Sequence, residues 1–316
     1  MTKVKYPLGS AAGRVTGPLL LFLRFKRPLL LVVGGIVMWH IYQVSQELTT
    51  SETFSNASGG TAAPSTVPPP TAAPTQFHPA FHFRTYGDAK FQSAKNRIVR
   101  EAKQTGWFQS IQAWGPEDLP VTFRQQYKEI LALPRGGGYW IWKYALIEET
   151  MKTLREGDFI VYLDAGCQVN HLASRRFYEY AKAIQESDYD LLCFQMKHPE
   201  YLYTTERVFQ AFDLPANDTD IRNSGQIMAT VLMIQKGPHY RIWLDQVKHV
   251  MEADPWIVTD KYNKETKQLH PDFIDNRHDQ SVFSVARKLS GCVAYPDESY
   301  PSGQKDKPFW ASRMKK

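Results

Sequence analysis

Residues 135–167 constrain the fold more than any other part of the chain. They read RGGGYWIWKYALIEETMKTLREGDFIVYLDAGC: a glycine-rich loop, a mostly apolar segment, a turn and an unbroken apolar run. Apolar residues from Trp140 to Leu154 recur at helical spacing and predict an amphipathic helix. The run Phe159–Leu163, which follows the turn at 156–158, is typical of a parallel strand covered on both faces.

Asp164 follows that predicted strand directly, with Ala165 and Gly166 after it. In open parallel sheets, ligands bind beyond the carboxyl ends of the strands. The sequence therefore predicts that Asp164 belongs to a nucleotide or metal site.

Lys143 lies in the first turn of the predicted helix, where the helix macrodipole is positive and a cation is mildly unfavourable. With the backbone N–H groups of Gly136, Gly137 and Gly138, a lysine at this place could hold a phosphate. The alternative is that the glycines form only a flexible turn and that Lys143 extends into solvent.

The charge of the chain is concentrated at its amino-terminal end. The 316 residues carry a net charge of +6. Six basic residues precede the first acidic residue, Glu47, so the remaining chain is neutral and offers no basic surface for nucleic acid. These basic residues are Lys3, Lys5, Arg14, Arg24, Lys26 and Arg27.

Three cysteines, Cys167, Cys193 and Cys292, allow at most one disulfide and no closed cysteine zinc site. Cys193 lies within an apolar run, and we predict that it is an ordinary core residue. A disulfide-rich scaffold is excluded, although an oxidising compartment is not.

The first eighty residues divide into three predicted segments. Residues 1–27 are a basic cytosolic tail, and residues 28–44 are apolar for about the shortest length that spans a bilayer. Because positive charge precedes this stretch, it predicts a type II signal-anchor. We favour the anchor over a cleaved signal peptide, since no clear cleavage site follows.

Residues 45–80 are rich in Ser, Thr, Pro and Ala and predict a disordered stem. Asn56 and Asn217 each begin an N-glycosylation sequon, which suits a body on the lumenal side of the anchor.

Residues 81–316 show apolar runs alternating with helical patterns, which predicts a single α/β domain with a mainly parallel sheet. The predicted strands are 81–86, 108–114, 159–163, 189–195 and 226–234. The predicted helices are 88–104, 116–133, 140–154, 174–186, 238–252 and 279–289.

Three motifs occur in order within this domain: GGYWIWK at 137–143, LDAGC at 163–167 and RHDQSVFS at 277–284. Together with the predicted anchor and stem, they resemble GT-A fold nucleotide-sugar glycosyltransferases, and in particular a group of bacterial, algal and viral proteins that share these motifs. The resemblance covers residues 86–291. It implies a GT-A-like sheet flanked by helices, a UDP- or GDP-sugar donor and a glycan, glycoprotein or glycolipid acceptor, in a Golgi or other secretory-pathway membrane.

The resemblance also implies which residues bind the donor. Asp164 occupies the place of the DxD motif, whose two carboxylates hold ribose and a divalent metal. Gly166 stands at the second position, so Asp164 is the single metal ligand, and dependence on Mn²⁺ or Mg²⁺ stays open. Gly166 would instead let a backbone approach closely. The donor-binding residues implied are Gly137, Gly138, Tyr139, Trp142, Lys143, Asp164 and Gly166.

Asp279 begins the last predicted helix, and with its neighbours His278 and Gln280 it is a candidate catalytic residue. The resemblance implies that Asp279 faces the reacting sugar, either as the base for an acceptor hydroxyl or as a stabiliser of an oxocarbenium-like centre. The alternative is that its charge only complements the helix dipole.

Ser224 and Gln226 precede an apolar strand and could line the acceptor side, or belong to an ordinary loop. The aromatic rings of Tyr201, Tyr203, Trp243 and Trp256 could stack on sugars, although core packing is the commoner role.

Two other functions are compatible with the sequence. A catalytically silent, membrane-anchored carbohydrate-binding module would explain the missing second carboxylate. A nucleotidyl- or phosphotransferase would share the aspartate at the sheet end, but it normally brings more metal-binding carboxylates.

Overall fold

The structure, a computed structural model, describes residues 78–265, 270–300 and 304–315. The predicted tail, the predicted anchor and all but the last three residues of the predicted stem lie outside these ranges. Among the helices of the described ranges, none combines the length and apolar character needed to span a bilayer.

The elements alternate along the chain as an α/β fold requires. The strands are β1 Phe81–Tyr86, β2 Ser110–Trp114, β3 Phe159–Leu163, β4 Gln168–Val169, β5 Leu192–Pro199, β6 Gly225–Ile227, β7 Val231–Gln235, β8 Val293–Pro296 and β9 Phe309–Trp310. The helices are α1 Gln92–Thr105, α2 Val121–Gln126, α3 Lys128–Leu131, α4 Gly136–Tyr139, α5 Trp142–Thr153, α6 Ser174–Gln185, α7 Glu200–Tyr203, α8 Glu206–Ala211, α9 Thr219–Arg222, α10 His239–Ala253 and α11 Asp279–Ser290.

The central sheet has the strand order β2-β1-β3-β7. Strand β1 pairs in parallel with β2 and β3, and β7 is antiparallel to β3. Every residue of β3 is buried, which explains its continuous apolar character. The mixed α/β architecture with a largely parallel central sheet is therefore confirmed.

Helices cover both faces of this sheet. Because successive side chains of a strand point to opposite faces, Phe159, Val161 and Leu163 pack with α1 and α6. Ile160 and Tyr162 pack on the other face with α5, α10 and α11. Strand β3 thus lies between two hydrophobic cores. The loop that follows it begins at the edge of the sheet.

A second sheet has the order β6-β5-β8, with β5 parallel to β8. This pairing brings Cys292, which precedes β8, next to Cys193 in β5, and the two form a disulfide. Cys193 is buried in the core as predicted, but the expectation that it is an ordinary, unbonded core residue is wrong. The partners are 99 residues apart, and only the parallel pairing of the two strands places them together. Cys167 is a buried free thiol.

The single strand predicted at 226–234 is two strands in different sheets. Strand β6 pairs with β5, whereas β7 pairs with β3. Between them, the Ala229 N–H donates to Gln280 Oε1 and the Thr230 carbonyl accepts from the Asp164 N–H. Because these backbone groups bond to a side chain and to the Asp164 loop, the run of strand hydrogen bonds is interrupted here.

The helix predicted at 116–133 is also divided. It consists of the 3-10 turn Pro116–Asp118 and the short helices α2 and α3. Pro120 separates the first two pieces, and the residue before a proline is disfavoured in the helical conformation. The other predicted helices and strands occur with boundary shifts of a few residues.

Candidate active site

The glycine-rich loop before α5, which includes the single turn α4, has a left-handed backbone throughout. Residues 136–140 have φ angles between 52° and 95°, and they include the non-glycine residues Tyr139 and Trp140. A residue with a Cβ atom loses about 1–2 kcal/mol in this conformation, whereas glycine adopts it readily. A Cβ at Gly138 would also lie 2.8 Å from Leu131 Cα. The loop is therefore a tightly packed turn with strained residues at its end.

Backbone groups of the loop already form hydrogen bonds with neighbouring residues of the chain. The Gly138 N–H donates to the Leu133 carbonyl at 3.0 Å, so it is already bonded in this structure. The Trp142 indole N–H donates to the Gly136 carbonyl at 3.0 Å. Trp142 is only 2 % exposed. The structure thus places Trp142 beneath the loop as support, while Gly137 and Tyr139 remain partly exposed.

Lys143 does not extend into solvent; it is 1 % exposed. Its Nζ atom lies 2.6 Å from Asp279 Oδ2, 3.2 Å from Asp164 Oδ1 and 3.1 Å from the Ala229 carbonyl oxygen. Three oxygens thus surround the ammonium group, which is as many as it has N–H donors. Burial lowers the pKa of Lys143, but the charges of Asp164 and Asp279 outweigh burial, and the pKa is raised above its ordinary value.

Asp164 lies directly after β3, at the sheet edge where the sequence placed it. Its side chain is 30 % exposed and faces solvent on one side. The buried Tyr162 hydroxyl donates to Asp164 Oδ1 at 2.6 Å. Sequence analysis did not single out Tyr162. The signal was available, because residues two apart in a strand share a face and a hydroxyl in an apolar run needs a partner.

Asp279 is the first residue of α11, and its side chain is 7 % exposed. Burial raises the pKa of Asp279 to about 6, although the Lys143 ammonium lowers it. The negative charge of Asp164 adds to the increase. A carboxylate with a pKa near neutrality suits general base catalysis at physiological pH. The structure therefore brings together Lys143, Asp164 and Asp279, which come from three distant segments of the chain.

Arg287 is a second cation near this cluster, and sequence analysis missed it. It is 1 % exposed and donates to the Met228 carbonyl at 2.9 Å. Burial lowers the pKa of Arg287 to about 9, and the charge of Asp279 opposes that decrease. Its place on the apolar face of α11, eight residues after Asp279, was the available signal. Arg287 and Lys143 together hold the carbonyl groups of Met228 and Ala229.

The His278 ring bonds to a backbone carbonyl group, and its Nε2 atom lies 3.9 Å from Asp260 Oδ1. The backbone of His278 has a φ of 60°, and its Nδ1 atom lies 2.7 Å from the Val258 carbonyl oxygen. Because a carbonyl only accepts, Nδ1 carries the proton. The ring stacks against Trp140 at 5.4 Å and meets Tyr139 edge-on. Burial lowers the pKa of His278, so the imidazole is neutral at physiological pH.

Gln280 links the cluster to a buried polar network. Its Nε2 atom donates to Gln226 Oε1 at 2.7 Å, and Gln226 in turn donates to Glu200. Gln226 is 0 % exposed, so the structure does not bring it to a surface where an acceptor could bind. Ser224 is partly exposed, and its hydroxyl donates to the Ile221 carbonyl at the end of α9.

Gly166 does permit a close backbone approach, as predicted, and the approaching segment is the chain's own carboxyl-terminal part. A Cβ atom at Gly166 would lie 3.3 Å from Arg313 Cα. The Met314 N–H donates to the Gly166 carbonyl at 2.8 Å. Strand β9, which precedes Arg313 in the chain, pairs with β4 and holds the carboxyl-terminal segment beside the Asp164 loop.

A cleft of about 320 Å³ lies near His278. Trp256 and Tyr139 contribute aromatic rings to it, and Asp260 contributes a carboxylate that accepts from the Tyr139 hydroxyl at 2.8 Å. Of the four aromatic residues considered for sugar stacking, Trp256 lines this cleft, whereas Trp243 is 0 % exposed.

The described residues do not fit a divalent metal site built by the protein. Asp164 Oδ1 is held by the Tyr162 hydroxyl and lies beside the Lys143 ammonium. Within residues 78–265, 270–300 and 304–315, no three His, Cys, Asp or Glu side chains are grouped so that they could ligate one ion. A cation next to Asp164 would also be repelled by the Lys143 charge.

The two predicted glycosylation sites differ in what the structure describes. Asn217 is exposed in the loop before α9. Asn56 lies outside the described residues.

Comparison with protein-family models and with curated protein sequences gives no match. Solved structures show a distant likeness. Mouse xyloside xylosyltransferase 1, in its apo form, aligns with a TM-score of 0.40 and 12 % identity, over 69 % of this chain and 84 % of that one. A glycosyltransferase involved in glycosylation of the major capsid of PBCV-1 aligns with a TM-score of 0.32 and 13 % identity, over 73 % and 94 %.

The galactosyltransferase LgtC, in complex with donor and acceptor sugar analogs, aligns with a TM-score of 0.32 and 12 % identity, over 67 % of this chain and 72 % of that one. Similarity this loose leaves the function of the chain to be argued from its own residues.

Proposed function

We propose that this chain is a glycosyltransferase that moves a sugar from a nucleotide-sugar donor to a hydroxyl group of a glycan, glycoprotein or glycolipid. The observation that carries the proposal is the cluster of Lys143, Asp164 and Asp279. It combines a partly exposed carboxylate at the end of the central strand with a buried carboxylate whose pKa is about 6. The motif resemblance points to the same reaction.

Each member of the cluster has a distinct task. Asp164, which is accessible, binds hydroxyl groups of the donor. Asp279 accepts the proton of the acceptor hydroxyl or stabilises positive charge that develops on the transferred sugar. Lys143 holds both carboxylates in place close to each other. Three protein oxygens already surround its ammonium group, so we assign it to positioning and not to phosphate binding.

We also propose that the body lies in the lumen of the secretory pathway, behind a type II anchor at residues 28–44. The disulfide between Cys193 and Cys292 supports this placement, because disulfides persist mainly in oxidising compartments. The exposed sequon at Asn217 is accessible to glycosylation. Expression in eukaryotic cells, followed by N-glycosidase treatment, tests the topology: a mass that does not change in the unsubstituted chain contradicts it.

The experiment for the activity is a screen of the purified full chain against UDP- and GDP-sugars, with detection of released nucleotide. The unsubstituted chain should turn over at least one donor. Asp279→Asn should lower that rate about a hundredfold or more, since it keeps the shape and removes the base. Asp245→Asn, an exposed aspartate on α10, is the matched control and should leave the rate unchanged.

A folded chain that releases no nucleotide from any donor, yet still binds saccharides, would establish the silent binding module instead. Equal rates for Asp279→Asn and Asp245→Asn would show that the charge of Asp279 only complements the helix dipole. Asp275 and Asp272 would then be the next carboxylates to examine.

A further inference from the structure

The backbone between β6 and β7 is held by one face of α11. Strand β6 ends at Ile227 and β7 begins at Val231. Three polar side chains of α11 bond to this backbone, and they lie four and three residues apart in the helix, so they share one face. Gln280 Oε1 accepts from the Ala229 N–H at 3.2 Å, Ser284 Oγ accepts from the Ile227 N–H at 2.7 Å, and Arg287 Nη1 donates to the Met228 carbonyl at 2.9 Å.

Arg287 and Gln280 bond to the two sides of a single peptide unit. The Met228 carbonyl and the Ala229 N–H belong to the same planar group, so a bond to each of them fixes the orientation of the plane. Side chains of α11 thus do at this point what a neighbouring strand does elsewhere in the sheet.

The next two carbonyl groups hold residues of the candidate active site. The Ala229 carbonyl accepts from Lys143 Nζ at 3.1 Å, and the Thr230 carbonyl accepts from the Asp164 N–H at 3.0 Å. Lys143 in turn lies between Asp164 and Asp279. Because the Ala229 carbonyl follows the 228–229 peptide directly, a rotation of that peptide would move the oxygen atom that holds Lys143.

Packing alone does not explain an arginine at position 287. Its side chain is 1 % exposed, and its Nε and Nη2 atoms are buried without a hydrogen-bond partner among the residues that the structure describes. The rings of Trp243 and Phe283 lie 5.6 and 5.9 Å from the guanidinium carbon. A buried charge in such apolar surroundings is unfavourable, and an apolar side chain would cost less. The bond to the Met228 carbonyl is what an apolar residue at this position could not supply.

We propose that Arg287 is a positioning residue for the proposed glycosyl transfer. Its bond to the Met228 carbonyl fixes the 228–229 peptide. This peptide directs the Ala229 carbonyl at Lys143, which holds Asp164 and Asp279 close to each other. The inference rests on the proposed glycosyltransferase function and extends its site to the buried face of α11, about two helical turns beyond Asp279.

The test compares three variants of Arg287 in the full chain. Arg287→Met removes the donor and keeps an apolar stem, and Arg287→Gln stays polar but is too short to reach the Met228 carbonyl. Arg287→Lys keeps a charged N–H donor on a longer side chain. Arg84→Met is the matched control, because Arg84 is 3 % exposed and donates to the Phe83 carbonyl at 2.9 Å, within its own strand β1.

Two quantities are measured on each variant, after thermal melting has verified that it is folded. The first is kcat for release of nucleotide, with the UDP- or GDP-sugar that the unsubstituted chain turns over fastest. The second is hydrogen exchange of the Ala229 N–H, followed by NMR, which needs no substrate.

Arg287→Met and Arg287→Gln should each lower kcat about tenfold to a hundredfold, because small misplacements of reacting groups have effects of this size. Exchange at Ala229 should become about tenfold faster, since one of the two bonds that fix its peptide is lost. Arg287→Lys should keep kcat within about threefold of the unsubstituted chain, because a single bond to a carbonyl does not need the planar fork of arginine. Arg84→Met should change neither quantity.

A double-variant cycle shows whether Arg287 acts through Lys143. In the Lys143→Met background, Arg287→Met should lower kcat by less than about twofold, because the group that it positions is already missing. The same loss in both backgrounds would show that Arg287 only supports the core, and it would overturn the inference.

A folded Arg287→Met variant with kcat within about twofold of the unsubstituted chain also overturns the inference. So does a loss that Arg287→Lys does not reduce, or an equal loss in Arg84→Met. If Arg287→Met does not fold, Arg287→Gln takes its place with the same expectations.

The exchange measurement separates this inference from the proposed function. If no nucleotide sugar is turned over, the function fails. Faster exchange at Ala229 in Arg287→Met, but not in Arg84→Met, then still supports the positioning role, and unchanged exchange overturns it. If nucleotide sugars are turned over while neither kcat nor exchange changes in the Arg287 variants, the function stands and the inference fails.

Discussion

Helix α11 contributes to two buried ion clusters that look alike and behave differently. At its start, Asp279 pairs with Lys143, which also pairs with Asp164. Near its end, Lys288 pairs with Glu200 at 2.8 Å. In both clusters, a lysine side chain that is less than a tenth exposed pairs with at least one carboxylate.

The second cluster is closed and balanced. Glu200 is 0 % exposed, and its oxygens also accept from Ser284, Thr204 and Gln226. One positive and one negative charge meet there, and each oxygen of the carboxylate has partners. Such an arrangement stabilises one packing of the chain but leaves no group for a ligand.

The first cluster is open and unbalanced. Lys143 faces two carboxylates, and Asp164 is 30 % exposed. The pKa of Asp279 is raised to about 6 by burial, and the negative charge of Asp164 adds to that increase. The opening to solvent at Asp164 and the sharing of one lysine by two carboxylates distinguish the proposed active site from a structural ion pair that uses the same residue types.

The largest effect should follow from Lys143→Met, which leaves Asp164 and Asp279 without their shared cation. Removal of one partner of a buried ion pair costs about 3–5 kcal/mol of stability, and turnover should fall at least a hundredfold. The loss should shrink at pH 5.5, because Asp279 then takes up a proton and needs no cation. Urea denaturation at pH 8 and pH 5.5 measures this difference, with Lys261→Met as the exposed control. The same loss at both pH values would show that Lys143 acts through packing.

Glu200→Gln should destabilise the protein by a similar 3–5 kcal/mol, because it leaves Lys288 buried without a counter-charge. In contrast to the first cluster, turnover per folded molecule should stay within about twofold. The double variant Glu200→Gln/Lys288→Met should recover most of the stability, since it removes both charges. A large loss of turnover in a folded variant would instead show that the Gln226–Gln280 bond couples the two clusters.

The pH dependence of the first cluster should separate activity from stability. Asp279 must be ionised to act as a base, so kcat/KM should fall about tenfold per pH unit below pH 6. Its folded pKa is above the ordinary value of 3.8, so its contribution to stability is complete below about pH 4 and lost as the pH rises to about 6. The melting temperature of Asp279→Asn relative to the unsubstituted chain should therefore increase from pH 4 to pH 7. A constant difference would contradict the raised pKa.

Local patterns predicted the parts of the first cluster that depend on neighbouring residues. The apolar run Phe159–Leu163 located the central strand and hence Asp164 at its end. The helical pattern after residue 278 located Asp279 in a first turn. In each case, the residues that decide the outcome lie within one element of secondary structure.

Long-range pairing could not be predicted in this way. Nothing near Lys143 indicates that its three partners come from residues 164, 229 and 279. The same holds for the Cys193–Cys292 disulfide and for Arg313, which strand β9 carries back to Gly166. The break at residues 228–230 was also hidden, because apolar side chains continue across it while its backbone groups bond to side chains from α11 and to the Asp164 loop.

Tyr162→Phe should have the smallest effect and give the finest comparison. It removes the hydroxyl that donates to Asp164 Oδ1 and keeps the aromatic ring 5.2 Å from the Lys143 ammonium. A net loss of about 1 kcal/mol in stability is expected for one buried hydrogen bond. Turnover should fall about tenfold, because Asp164 is then fixed only by Lys143 on that oxygen.

Tyr144→Phe is the matched control for this change. Tyr144, on α5, is 2 % exposed, and its hydroxyl donates to Tyr127 at 3.0 Å instead of to a carboxylate of the first cluster. It should cost a similar stability and leave turnover unchanged. If both variants lose turnover equally, the effect comes from core packing, and Tyr162 does not position Asp164. If only Tyr162→Phe loses turnover, the orientation of the exposed Asp164 carboxylate matters for the reaction. The closed Glu200 cluster has no influence on that orientation.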